Sequence, residues 1–333
     1  MVGGLALSDQ AATSGGIRHV AWLYRSADEY LAGVREFVQA AVLASAPVLI
    51  AVPASRLPPG WAGEQDRARV RTVDVTAVGR NPARMMPVLH AFAQEHPGQR
   101  PRVVAELAWA GRSAAELGEV ARYEQALNLE LAGAQVSVLC PYSTVDLPGS
   151  AISAACASHP TVREYDSKLG RAACYAAPDG RYPVVAPLLA PPGAQTLAYA
   201  DDLRQVRALV AATAARAGLS EARRIDLVIA ASEVAANTLK HTTGGGVVRV
   251  WVTDDEVLCQ LEDSGHITDP LAGYDRPAGD ASGGQGLWLV NQVCDLAEMR
   301  TGERGTTVRL HMYRDLPRAE LQDAARTRQD SVN

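Results

Sequence analysis

Glu233, Asn237 and His241 fall four residues apart in the stretch ASEVAANTLKHT, residues 231–242. That spacing stacks them on one face of a helix. A carboxylate one turn from an amide suits a hydrated divalent cation. The amide oxygen can ligate Mg²⁺, and the carboxylate can orient or deprotonate a nucleophile. The same spacing also fits a solvated helix face, so the stripe alone leaves both readings open. His241 suits a third role, closing the helix's last turn, where a cation is favourable.

Three further stretches carry candidate chemistry, each with a plainer alternative. In LEDSGH, Asp263 and Gly265 follow a strand pattern; a carboxylate there can accept a hydrogen bond from an exocyclic amine, and glycine lets a ligand approach the backbone. An ordinary loop uses the same residues. In SGGQGLWLVNQV, Gly283, Gly284 and Gly286 precede a helix, whose N–H groups and dipole attract phosphate oxygens. A flexible loop entering a helix reads identically. In RGTTVRL, Thr306 opens a strand after Gly305, either to bond a base or as a plain β-former.

The order of these pieces adds what none has alone. E-x-x-x-N on a helix, D-x-G after a hairpin, a long Gly/Asp/Pro-rich loop, G-x-G-L into a helix and G-T at a closing strand resemble the Bergerat (GHKL) ATP-binding fold shared by gyrase, histidine kinases and MutL. Within that group the chain most resembles the RsbW-type anti-sigma factors, which are also serine protein kinases. The resemblance covers about residues 200–314 and implies an α/β sandwich that binds ATP and Mg²⁺. It implies that Glu233 is the base, Asn237 the Mg²⁺ ligand and Asp263 the adenine reader. Gly265 would sit beside that carboxylate, Gly284, Gly286 and Leu287 along the phosphates, and Thr306 near the adenine. Arg276, in the loop that would form a lid, would contact the γ-phosphate. The implied partners are a sigma factor and a STAS-type anti-sigma antagonist. Ile267 stands where the second glycine of D-x-G-x-G is usual. A histidine kinase would need a helical pair with a phosphoacceptor histidine before this domain, and His159 in SHPTVRE is in a poor helical context.

The elements that must position these residues come in two styles. From Ile17 strands and helices alternate: RHVAWLY, then a helix capped by Ser26, the continuous apolar strand PVLIAVP, RVRTVDV, a helix opening at Pro82, RVVAELAW, a helix, and QVSVLCPY. Such alternation implies βαβ units and a mostly parallel sheet covered on both faces. HVAWLYRSADEYL, VVAELAW, YEQALN, VSVLCPYS and SHP resemble the MEDS sensory domain, a RecA/KaiC-like fold, over roughly 17–170. A phosphate-holding P-loop would need G-x-x-x-x-G-K-[ST], and YRSADEY follows the first strand without a glycine. Glu106 at a strand end is a candidate ligand contact or a carboxylate capping a loop. Tyr123, Glu124 and Asn128 read as helix-surface or packing residues, with Tyr123 also a sensory-site candidate beside Glu106 and Cys140. Cys140 reads as a buried small hydrophobe, with redox sensing as the other option. Trp22, Trp109 and Trp288 read as core or pocket packing.

In the second half, a helix over 201–218 precedes the one carrying Glu233, which Ser220 would cap, with Ile225, Val228, Ile229 and Leu239 on its apolar face. GGGVVRVWVTDDEVLCQLED alternates as a hairpin about the DDE turn. YPVVAPLLAPPGAQ holds four prolines and suits a linker. The expected division is therefore a tail at 1–16, a MEDS-like sensory domain at 17–180, a Pro-rich linker at 181–199, an ATP-binding domain at 200–314 and a tail at 315–333.

Composition sets the outer limits. At 333 residues, 47% hydrophobic, two cores are easily filled. A net charge of −5 with dispersed Lys and Arg argues against direct nucleic-acid binding. Five cysteines, an odd count without C-x-x-C spacing, argue against a disulfide framework or a zinc site and fit free thiols in a reducing cytoplasm. No leader pattern or membrane span is expected. The sensory half is expected to take a small ligand of unknown identity, and a homodimer is compatible with this reading.

Overall fold

A computed structural model describes residues 18–57, 69–132, 134–164, 170–178, 188–274 and 285–314. The chain divides into two compact units, Met1–Gly180 and Arg181–Asn333.

The first unit runs β1 (Arg18–Tyr24), α1 (Ala27–Leu43), β2 (Val48–Val52), β3 (Val70–Asp74), α2 (Val75–Val78), α3 (Met85–Gln94), β4 (Arg102–Ala105), α4 (Ala114–Glu130), β5 (Ser137–Ser143), α5 (Gly149–Ser158), β6 (Thr161–Glu164) and β7 (Gly170–Arg171). The sheet order among the described residues is β3-β2-β4-β5-β1-β6-β7. The six strands β1 to β6 pair in parallel, and β7 lies antiparallel on β6. All five residues of β2 are buried. α1 starts where Ser26 accepts a hydrogen bond from the Glu29 N–H. It packs Tyr30, Val34 and Phe37 onto Val20, Trp22, Ile50 and Val104. The oppositely directed Ala21, Leu49, Val103 and Val138 are buried too, as in a parallel sheet covered on both faces. The parallel α/β architecture expected from the alternating pattern is present. The short β6 and β7 were not among the expected strands.

The second unit runs β8 (Gln195–Tyr199), α6 (Leu203–Arg216), α7 (Glu221–His241), β9 (Gly246–Val252), β10 (Glu256–Asp263), α8 (Gln285–Val293), β11 (Leu296–Gly302) and β12 (Gly305–Tyr313). The five strands are antiparallel in the order β11-β12-β10-β9-β8, the sandwich sheet expected. Two expectations need correction. Residues 195–199, expected as linker, are strand β8, and Gln260 and Arg309 donate to the carbonyls of Leu188 and Leu189 at 3.2 and 2.9 Å. Ile225 and Ile229, expected on the buried face of α7, are 52% and 38% exposed. The helix instead buries Leu227, Ala230, Ala231, Val234, Ala235 and Thr238, because small residues allow close approach to the sheet and its neighbouring helices. Ser220 holds the N-cap position of α7 without a side-chain cap hydrogen bond. Among the described residues no helix is long and apolar enough to cross a membrane.

The face of this sheet away from the apolar core carries a buried polar cluster. His311 lies 2.8 Å from Glu256 and 3.0 Å from Glu298 through its two ring nitrogens. Burial alone would lower its pKa, but hydrogen bonds to Glu256 and Glu298 carry it up to about 9. A histidine raised in the folded state stabilises fully below its unfolded pKa of 6.5, and that stabilisation is lost as pH rises through about 9. His311→Gln is therefore expected to lose on the order of 2 kcal/mol at acid-neutral pH and to differ little from wild type above the raised pKa. Urea unfolding of both proteins across that window checks it; parallel curves would refute the charged-histidine account.

Candidate functional site

The buried Ala/Val/Leu stripe of α7 fixes the helix's rotation and leaves Glu233 and Asn237 half-buried at its edge, one turn apart. The start of α8 comes directly against them. A Cβ on Gly286 would lie 2.8 Å from Glu233 Oε2 and 3.3 Å from Asn237 Nδ2. A glycine lets the helix's first turn, whose N–H groups have no partner within the helix itself, sit on a carboxylate and an amide without displacing them. Leu287, next in sequence, packs against the apolar core and holds that turn down. His241 is exposed and joins nothing at the site. Arg276 and Gly284 lie outside the described residues.

Asp263 ends the central strand β10, opposite Gly246 on β9 and Thr306 on β12. Its Oδ2 accepts from the Thr238 hydroxyl at 2.6 Å, and its Oδ1 accepts from the Gly265 N–H at 2.8 Å. Each oxygen keeps a lone pair for a further donor. Tyr199 donates to Thr238 at 3.1 Å, and burial pushes the phenol up to about 12, so it stays a donor. Thr306 donates to the Gly265 carbonyl at 2.8 Å and lies 3.2 Å from Thr301 Oγ1. It thus braces the D-x-G turn. The helix carrying Glu233 and Asn237 is thereby hydrogen-bonded, through Thr238, to the carboxylate at the strand end.

Ile267, where the second glycine of the motif is usual, packs against the core, and its N–H donates to Thr301 at 3.2 Å. Gly273 is also latched to α8: Asn291 Nδ2 donates to its carbonyl at 2.9 Å. Thr238, Tyr199, Thr301 and Asn291 were not singled out in the sequence. Thr238 stood inside the opening stretch, but a lone threonine in a helix carries no signal. An open groove of about 570 Å³ reaches Asp263 and Ser264 past Tyr199, Gly245 and Arg304; Glu233 and Asn237 do not line it.

In the first unit, Glu106 follows β4 and is fully buried. Tyr24, which ends β1, donates to its Oε1 at 3.1 Å, and Arg56 Nε lies 3.6 Å away. Tyr30 bonds to the same carboxyl. Oε2 has no hydrogen-bond partner among the described residues. Burial pushes the carboxyl up to about 7, against the pull of Arg56 and the two tyrosines. The side chain caps no backbone N–H among the described residues, so the loop-capping role is not what places it. An unsatisfied carboxyl at the carboxyl ends of parallel strands is where ligands of open α/β sheets are met. Tyr123 is buried completely, inside the fold rather than on the helix surface. Cys140 is buried, though not as an apolar filler: it lies among His19, Glu124 and His159. Burial and the nearby Glu124 carboxylate hold its thiol well above the ordinary range, the opposite of what a reactive sensor thiolate needs.

A five-stranded antiparallel sheet under helices, with a carboxylate–amide pair facing Gly286 of α8, makes the second unit an α/β sandwich, and the first is a parallel α/β unit. Comparison with known families agrees. Residues 18–160 match the MEDS family (methanogen/methylotroph, DcmR sensory domain), and residues 197–312 match the histidine kinase-like ATPase domain. The two matched regions fall one in each compact unit. No curated protein matches it. A solved structure of the RsbU and RsbW domains of a Mycobacterium tuberculosis protein is 23% identical over 37% of this chain and 33% of that one, with a TM-score of 0.28. This chain thus spans about a third of that structure's length. A solved ATPase domain is 9% identical over 45% of this chain and 69% of that one, with a TM-score of 0.31.

Proposed function

We propose that this chain is an anti-sigma regulatory factor of the RsbW type. Its C-terminal domain binds Mg·ATP and sequesters a sigma factor, phosphorylates an antagonist protein on Ser or Thr, or does both. The N-terminal domain tunes this in response to a small ligand, for which the Glu106, Tyr24, Tyr30 and Arg56 cluster is the candidate cradle. The observation that carries the proposal is Gly286 seated against Glu233 and Asn237, with Asp263 held on the same helix through Thr238.

The residues suit the group. Asn237 offers an amide oxygen to Mg²⁺, a hard cation that keeps several waters and needs few protein ligands. The first turn of α8 offers N–H groups to phosphate oxygens. Asp263 accepts a hydrogen bond from the exocyclic amine of adenine. Bound Mg·ATP supplies the phosphoryl group and the charge neutralisation that such transfer requires. The protein's own part is to hold the nucleotide in place and to take the acceptor hydroxyl's proton onto Glu233. A second reading has its own support. Ile267 and its hydrogen bond to Thr301 fix the stretch that a second glycine would free. That favours a nucleotide-gated binding module without transfer.

Calorimetric titration with Mg·ATP tests the site. Wild type is expected to bind, and Asp263→Asn to lose about 1.5–3 kcal/mol of affinity, roughly 10- to 100-fold. Absence of binding heat from wild type would sink the nucleotide reading.

A further inference from the structure

His19 on β1, Glu124 on α4, Cys140 on β5 and His159 just after α5 bring four donor atoms within 4.8 Å of one another, all in residues that are fully buried or nearly so. The hydrogen bonds around them set the tautomers. Asn128 Nδ2 donates to the carbonyls of Glu124 and Ser158 at 2.9 and 2.7 Å. Its Oδ1 must therefore face His19 Nδ1, 3.0 Å away, and that nitrogen carries the proton. His159 Nδ1 lies 2.8 Å from the Ala155 carbonyl, an acceptor only, so it too is the protonated nitrogen. Both Nε2 atoms then point to the same place. His159 Nε2 is buried there without a hydrogen-bond partner among the described residues.

Three donor-to-donor distances match tetrahedral edges, a fourth is 3.0 Å, and all donor atoms lie within 4.8 Å of one another. Bonds of about 2.0–2.3 Å to a central zinc ion give ligand-to-ligand edges of about 3.3–3.8 Å. Glu124 Oε2 lies 3.0 Å from His19 Nε2, 3.7 Å from Cys140 Sγ and 3.8 Å from His159 Nε2, and Cys140 Sγ lies 3.3 Å from His19 Nε2. Tyr142 donates to the other carboxylate oxygen, Oε1, at 3.3 Å, which leaves Oε2 for the centre. Imidazoles whose second nitrogen is held by a carbonyl or amide oxygen, and a carboxylate held by a phenol, are the usual outer support of a metal site.

We infer that His19, Glu124, Cys140 and His159 form a buried four-ligand site for a zinc-type divalent transition metal in the sensory domain. Two imidazoles, a thiolate and a carboxylate are a tetrahedral zinc set, and four protein ligands make the site closed. Binding replaces the Cys140 S–H bond with a sulfur–metal bond and releases that proton to solvent; no redox change is involved. The ion ties two strands to two helical segments, so its occupancy sets how tightly this face of the sheet is braced. The inference is independent of the ATP site.

The test uses the full chain, without nucleotide or Mg²⁺. Protein stripped with a chelator and titrated with Co²⁺ is expected to take up one ion per chain and to show a thiolate-to-cobalt charge-transfer band. Zn²⁺ should displace the ion stoichiometrically. Cys140→Ser is expected to lose the band and His159→Gln to lower affinity at least about 10-fold, with circular dichroism confirming that both remain folded. Because either variant can fail to fold, the stripped wild type is decisive by itself. Failure to bind one Co²⁺, or binding without the thiolate band, overturns the site and leaves only the His19–Glu124 hydrogen bond in its place.

Discussion

Glu233→Gln is expected to lower phosphoryl transfer to an antagonist protein by about 10²–10⁴-fold, the usual contribution of a positioned base, while Mg·ATP affinity stays close to wild type. Glutamine keeps the shape that packs on Gly286 and loses only the capacity to take a proton. Asn237→Ala should behave differently, weakening Mg·ATP binding itself, since it removes a metal ligand rather than a base. Radiolabelled transfer and calorimetry on the two variants separate these roles. The comparison also decides between the two readings of the domain. If wild type binds Mg·ATP and a partner but transfers no phosphate, and Glu233→Gln binds both equally well, the kinase reading fails. The nucleotide-gated module, which the anchored Ile267 favours, then stands.

How far the sequence discloses these arrangements depends on how local they are. β2 was legible because five consecutive apolar residues have few alternatives to a strand buried on both faces. Glu233 and Asn237 were legible because a helix fixes the geometry of residues four apart without help from the rest of the chain. β8 was hidden by the prolines just before it, and β6 and β7 by their lengths of four and two residues. Ile225 and Ile229 misled because hydrophobic spacing does not say which of two apolar faces the sheet can approach most closely; the alanines decided. The Asp263 network needed the register of β10 with β12, which sets Thr306 opposite the carboxylate. His19, Glu124, Cys140 and His159 were least legible of all. They lie on four elements and share no spacing motif, so only the folded parallel sheet brings them together.

Gly305→Ala is expected to destabilise the C-terminal domain by about 3 kcal/mol or more, while Gly286→Ala, also at the site, should change stability by less than about 1 kcal/mol. The difference lies in what each new methyl group meets. At Gly305, φ is +111°, and a Cβ would overlap the Asp263 carbonyl oxygen and lie 2.8 Å from Ser264 Cα. Those are backbone atoms of the neighbouring strand and its turn, and they cannot give way without parting β10 from β12. At Gly286 the nearest atom is Glu233 Oε2, the tip of a flexible side chain on a helix whose backbone need not move. The methyl group displaces the base instead, so transfer should fall while the fold holds. Urea unfolding beside Mg·ATP titration reads both effects. A Gly305→Ala protein as stable as wild type would mean that β12 does not enter the sheet opposite Asp263, and the pairing of Asp263 with Thr306 would go with it. A Gly286→Ala protein with unchanged transfer would mean that Glu233 does not act from the position in which α8 now holds it.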